Sequence, residues 1–307
     1  MVTPVMPPET IYRVTHRTSY RYDRRMSKGA TIAHLSPRET PFQRVIASHV
    51  EVDPVPDERH EWIDLFGNHV SSVAVLHPHD SLDLCATSTV AVSAAAGDPI
   101  VSTGPLGLSW DAASTALDGD HSAAGIEARG FRVSSRHVQT SAAARDYAAP
   151  SFAPGRGLLD GVSNLCHRIF EEFEFDPSFS ETTTPVSEVL EHRRGVCQDF
   201  AHLALACLRS LRLPARYVSG YIETIPAPGL PKLIGADASH AWASVYLPGA
   251  GWVDLDPTND QMPVGRHVTV AWGRDYSDVV PVRGVVFGPE AGQVLEVSVD
   301  VVTPDPS

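Results

Sequence analysis

Two strand-like segments, residues 241–247 and 251–255, are separated only by the turn Leu247-Pro-Gly-Ala-Gly-Trp252. Segments joined this closely pair as antiparallel neighbours. Antiparallel pairing lays the start of the first strand beside the end of the second. His240 opens the first, in Ala238-Ser-His-Ala-Trp-Ala-Ser-Val-Tyr246, and Asp256 closes the second, in Gly251-Trp-Val-Asp-Leu-Asp-Pro-Thr-Asn259. A base and an acid are therefore expected to meet at one edge of a sheet.

Cys197 supplies the third member. It lies in Arg193-Arg-Gly-Val-Cys-Gln-Asp-Phe-Ala-His-Leu203, where the pattern after Gly195 predicts a helix running to about residue 211. A thiolate is the nucleophilic form of cysteine, and the unpaired amides and dipole of a helix N-terminus stabilise it. Arg193 and Arg194 add positive charge nearby. Alone, such a cysteine reads as a small core residue. A helix pointing its N-terminus at the edge holding His240 and Asp256 completes a nucleophile, base and orienting acid.

Other residues compete for these roles. Asp254 lies two residues from Asp256 on the same strand face and is its rival. Asp199 reads as a first-turn acid, and His202, about 140° round the helix from Cys197, as a structural side chain. Trp242, Trp252 and Gln198 are candidates to line a substrate cleft, with core packing the plainer reading for the tryptophans; Tyr276 and Asp278 lie in a downstream loop and strand. Cys197, His202 and Cys207 recur every five residues, a step that rotates about 140° on a helix, so they cannot converge on a metal. His77 and His79 flank a proline without partner ligands, and no glycine-rich phosphate loop is present. No metal or cofactor is expected.

Residues 9–95 read as turn-separated strands, with Asp53-Pro-Val-Pro-Asp57 and Phe66-Gly-Asn68 as turns. A Gly-, Pro-, Ser- and Ala-rich stretch follows, and residues 118–157 are ambiguous. Apolar residues at helical period mark 158–173, and Thr184-Pro185 opens a short helix with Thr184 as N-cap. Residues 215–224, 241–247 and 251–255 are strand-like, as are 279–287 and 294–302. The expected organisation is a β-rich module at 1–96, a connection at 97–157 and a catalytic core with C-terminal strands at 158–307, an α+β chain.

The 307 residues carry 24 basic and 37 acidic side chains, net −13. That balance disfavours nucleic acid and anionic membranes as partners. No window resembles a signal peptide, none approaches the roughly 18–20 apolar residues of a membrane span, and the four cysteines show no paired spacing. A cytoplasmic location is the expectation, and nothing indicates an oligomeric state.

Four stretches together resemble the transglutaminase-like family of the papain-like cysteine protease superfamily: Gly195-Val-Cys-Gln-Asp-Phe-Ala-His202, Pro214-Ala-Arg-Tyr-Val-Ser-Gly-Tyr221, Ser239-His-Ala-Trp242 and Trp252-Val-Asp-Leu-Asp-Pro-Thr-Asn259. The likeness covers roughly residues 155–290, and residues 9–95 resemble the β-rich region that precedes this core in bacterial members. The resemblance implies a papain-like core, a helix carrying the cysteine packed on an antiparallel sheet. It also implies Cys197 as nucleophile, His240 as base and Asp256 as triad acid, acting through a thioester on peptide or carboxamide substrates. Animal transglutaminases place an upstream tryptophan at the oxyanion position, and this chain has none between Trp110 and Trp242. Hydrolysis, by a protease or amidase, is therefore expected over cross-linking. The alternative is a silent peptide-binding scaffold that retains the triad.

Overall fold

The computed structural model describes residues 9–93, 108–224, 239–263 and 265–304. Part of the expected 97–157 connection thus lies outside the described residues.

The N-terminal half is built from β1 (Glu9–Met26), β2 (Lys28–Ala33), β3 (Gln43–Asp53), β4 (Glu58–Ile63), β5 (His69–Val75) and β6 (His79–Ser93). They form two four-stranded sheets, each completed by a strand from the far end of the chain. β14 (Gln293–Val302) pairs antiparallel with β1, giving the order β14-β1-β6-β3, and β13 (Val282–Phe287) pairs with β2, giving β13-β2-β5-β4. Read from sequence, those strands belong with the core; in the fold they belong to the N-terminal sheets. A local pattern marks a strand but not its partner. The sheets face each other across Ala33, Leu35, Val50, Val75, Leu82, Leu84 and Ala86. Further along the same face of the first sheet, Tyr12, Val14, Val90, Val92, Val299 and Val301 join the main core. Only at the end of β6 are both faces covered, with Val90, Ala91 and Val92 all buried, and there the run is apolar without a break.

The ambiguous stretch contains three short helices, α1 (Trp110–Asp118), α2 (Ala123–Arg129) and α3 (Ala142–Ala148). Each is capped by a serine, Ser109, Ser122 and Ser141, whose hydroxyl accepts a first-turn amide. Then come α4 (Leu158–Glu172), β7 (Glu174–Phe175), α5 (Val186–His192), β8 (Arg194–Gly195) and α6 (Cys197–Ser210). The N-cap of α5 is Pro185, not Thr184, whose hydroxyl instead accepts the Glu181 amide.

α6 is the centre of the core. Phe200 through Leu208 are all buried, so the helix is apolar around its full circumference. Leu203, Leu205 and Leu208 are each worth about 1.5–3 kcal/mol of burial. Buried Arg209 donates to the carbonyls of Ala215, Val133 and Arg274, tying the helix end to the next strand and to two loops. Against α6 packs the antiparallel sheet β11-β10-β9-β12, made of β9 (Ala215–Ile222), β10 (Ser239–Leu247), β11 (Gly251–Leu255) and β12 (His267–Gly273). No helix among the described residues is long and apolar enough to cross a membrane. The whole is α+β, all-β sheets followed by helices packed on an antiparallel sheet.

Candidate active site

The approach to Cys197 is fixed by a two-residue parallel pairing of β7 with β8, Glu174 against Arg194 and Phe175 against Gly195. Gly195 is buried, and a Cβ there would come within 2.8 Å of Asp199 Cβ, so only glycine fits under the first turn of α6. The Asp199 carboxylate accepts the Val196 amide at 2.8 Å, the third-position half of a capping box. Valine at the N-cap has no side-chain acceptor, so first-turn amides including that of Cys197 receive no side-chain cap. The arginines expected to add free positive charge are engaged: Arg193 pairs with Glu172 at 3.0 Å, and Arg194 lies beside Glu174 and Asp176.

The hairpin of β10 and β11 forms in the expected register, with Ala243 opposite Leu255 and Leu247 opposite Gly251. It brings His240 to Asp256: His240 Nε2 donates to Asp256 Oδ2 at 2.7 Å, with Asp256 fully buried. The Cys197 side chain lies close enough to His240 to be among the groups that raise its value. Because Nε2 is spent on Asp256, Nδ1 is the nitrogen left for the thiol. The structure thus brings Cys197, His240 and Asp256 together, with the bond from His240 to Asp256 buried.

His240 sits opposite Gly220 of β9. A Cβ at Gly220 would lie 2.1 Å from the Val268 carbonyl oxygen and 2.6 Å from the Trp242 ring, so the Trp242 indole occupies that space. Trp242 then stacks on His240 with centroids 5.9 Å apart and meets His267 edge-on at 5.0 Å. It is completely buried and presents no surface to a substrate, which corrects its assignment to the cleft. Its indole N–H donates to Asp254 at 2.9 Å, and that bond occupies the rival acid away from His240. Trp252, at the other end of β11 from Asp256, packs against Tyr246 and Phe131 rather than beside the thiol. The Gln198 amide donates to the Thr182 carbonyl.

Sequence reasoning missed His267. Its Nε2 donates to the same Asp256 oxygen at 2.8 Å, while Asn259 Nδ2 donates at 2.7 Å and the Thr258 amide to Oδ1 at 3.0 Å. The only sequence signal was a histidine opening a later strand. Its pairing with Ile222 of β9, 45 residues earlier, is what carries it to the triad.

These contacts set the charges. Burial alone would raise the Asp256 carboxyl, but the bonds from His240 and His267 outweigh it and hold the group well below the usual carboxylate range. Burial opposes the His240 imidazolium, yet the bond to Asp256 and the nearby Cys197 more than offset it and push His240 up to about 10. For His267 burial wins over Asp256 and lowers its value, so it donates as a neutral ring and leaves Nδ1 a bare acceptor without a partner. His240, Asp256 and His267 also bring three metal-ligand atoms within 4.8 Å of one another, but both Nε2 atoms are at hydrogen-bond distance from the shared oxygen.

His202 lies apart from this network. It is buried, stacks on His137 at 5.6 Å, and accepts the Tyr276 amide at 3.2 Å; burial pushes it down to about 3, so it stays neutral and structural. Asp278, in the downstream segment, is spent on Arg274.

Comparisons with known proteins agree with this construction. The family model described as the bacterial transglutaminase-like N-terminal region matches residues 12–91, and that of the transglutaminase-like superfamily matches residues 145–257. Uncharacterized protein Rv2569c of Mycobacterium tuberculosis is 42% identical over 295 residues, covering 95% of this chain and 92% of that one. A solved structure of a candidate cysteine protease from Cytophaga hutchinsonii shares the fold with a TM-score of 0.73 at 21% identity, over 98% of this chain and 92% of that one. A protein-glutamine gamma-glutamyltransferase of Pseudomonas aeruginosa is 35% identical over 109 residues, 32% of this chain and 16% of that protein.

Proposed function

Because the chain belongs to the transglutaminase-like superfamily, with the bacterial N-terminal region ahead of its core, we propose that it is a cysteine-nucleophile enzyme acting on amide bonds of peptides or proteins. The observation that carries the reading is the buried 2.7 Å bond from His240 to Asp256 on an imidazole whose value the nearby Cys197 thiol, at a helix N-terminus, also helps raise.

In this mechanism the Cys197 proton passes to His240, leaving a thiolate beside an imidazolium held by Asp256. The thiolate attacks the amide carbon, and the developing oxyanion is met by the Cys197 backbone amide at the start of α6. His240 gives its proton to the departing amine. A thioester remains, and water activated by the now neutral His240 cleaves it to the acid; an amine in place of water gives transamidation. The absence of any tryptophan between Trp110 and Trp242 supports hydrolysis as the main outcome.

Incubating the protein with glutamine-containing peptides, with and without a primary amine, tests this by mass spectrometry. Hydrolysed product that exceeds amine adduct, and that Cys197→Ala abolishes, is the expected result. Adducts forming faster than hydrolysis would overturn the preference, and turnover undiminished in Cys197→Ala would overturn the mechanism.

A further inference from the structure

On the face of the sheet turned away from α6 lies a cavity of about 740 Å³. Tyr217 meets His202 on the α6 side, so its neighbours Arg216 and Val218 point the other way, into this space. The cavity is closed by Thr40–Gln43 of the N-terminal half and by Ala124 and Glu127 of α2. Neither Cys197 nor His240 lines it, although His267 does.

At one end two arginines and two tryptophans stack. Arg38 lies 3.1 Å over the Trp272 ring, while Arg216 lies 3.5 Å over Trp272 and 4.2 Å over Trp252. Arg216 is 6% exposed and Arg38 9%, so both cations are buried. Arg38 is held by neutral acceptors, the Phe66 carbonyl and Asn68 Oδ1. Among the described residues Arg216 makes no hydrogen bond or ion pair. Asp254 and Glu127 line the same cavity without pairing with it. Arg216 Nε, Arg38 Nε and Trp272 Nε1 are all buried without an acceptor. Burying a cation unpaired costs several kcal/mol, and an orphaned donor adds about 1–3 kcal/mol. Two of these donors, on Arg216 and Trp272, belong to residues that line the opening, which matches a site whose counter-charge arrives with a ligand.

We propose that this cavity binds a small organic carboxylate, its oxygens accepting from Arg216 and Trp272 and its apolar body resting along Trp252, Tyr246 and Met262. The rings of Trp252 and Trp272 hold the guanidinium flat, which leaves its edge to meet the planar carboxylate. The site is separate from the proposed chemistry at Cys197, so its occupancy is measured without turnover.

The test uses the full chain carrying Cys197→Ala, titrated with benzoate, 3-phenylpropionate and hexanoate and with the matching neutral amides. Tryptophan fluorescence and thermal shift report binding. Each carboxylate is expected to bind at least about tenfold tighter than its amide. Arg216→Gln should erase that preference, and Trp272→Phe, which keeps the ring but removes the N–H donor, should weaken carboxylate binding several-fold. If Arg216→Gln fails to fold, Trp272→Phe decides. Equal binding of acids and amides, no binding of any carboxylate up to about 10 mM, or carboxylate affinity unchanged in Trp272→Phe would overturn the proposal.

Discussion

Replacing Asp256 with asparagine keeps the shape of the side chain and removes the charge that holds His240. The folded imidazole is pushed up to about 10 from an ordinary value of 6.5, with burial opposing and the bond to Asp256 and the nearby Cys197 prevailing. That rise of about 3.5 units, at about 1.4 kcal/mol each, corresponds to about 5 kcal/mol shared between the two partners. With His240 only 8% exposed, solvent screens little of it, and about 2–4 kcal/mol is assigned to Asp256. Because the folded value is raised, this stabilisation is fully present below about pH 6.5 and is lost as pH rises through about 10. Urea unfolding of wild type and Asp256→Asn at pH 6 and at about pH 10.5 isolates it, since structural damage from the asparagine offsets both conditions equally. The stability gap between the proteins should shrink by about 2–4 kcal/mol on going to the higher pH. Asp254→Asn keeps an oxygen to accept the Trp242 N–H and leaves His240 with its partner, so its gap should shrink less. A gap independent of pH for Asp256→Asn, or equal slopes for the two variants, would refute the assignment of Asp256 as the partner of a charged His240.

Two further substitutions probe the supports. Gly195→Ala places a Cβ within 2.8 Å of Asp199 and should cost about 1–3 kcal/mol in urea unfolding, with slower alkylation of Cys197 as the first turn of α6 shifts; unchanged stability and labelling would contradict this. His267→Phe removes the 2.8 Å donor to Asp256 and should lower stability at pH 8 by about 1.5–3 kcal/mol. Burial holds His267 below its ordinary value, so wild type alone loses stability as this ring charges on unfolding below about pH 6.5. The gap between the two proteins should therefore narrow from pH 8 to pH 5, and a widening gap would contradict that reading.

The parts of the site that follow from local chain geometry were legible in the sequence. A tight turn between two strands forces His240 toward Asp256, and Gly195 with an apolar run forces a helix to begin at Cys197. What stayed hidden depends on pairings between distant residues. β13 and β14 carry ordinary strand patterns, and only the three-dimensional sheets show that they pair with β2 and β1. His267 reaches Asp256 because β12 lies against β9. The choice of Asp256 over Asp254 rests on the indole N–H of Trp242, a side-chain bond that strand alternation cannot show, since both acids lie on one face. Likewise Arg193 and Arg194 look like free charge beside the thiol until their carboxylate partners on neighbouring elements are known.

The central claim is that Cys197 and His240 act as one activated pair, and alkylation by iodoacetamide measures it without knowledge of the substrate. Labelling of wild type, Cys197→Ala and His240→Ala across acid to mildly alkaline pH, read by peptide mass spectrometry, distinguishes Cys197 from Cys85, Cys166 and Cys207. Burial pushes the Cys166 thiol well above its ordinary value and that of Cys207 up to about 12, so both serve as slow internal references. Fast, selective modification of Cys197 near neutral pH, slowed by His240→Ala, is the predicted result. Slow labelling of Cys197 at the rate of the other cysteines, or a rate indifferent to His240→Ala, would contradict the account.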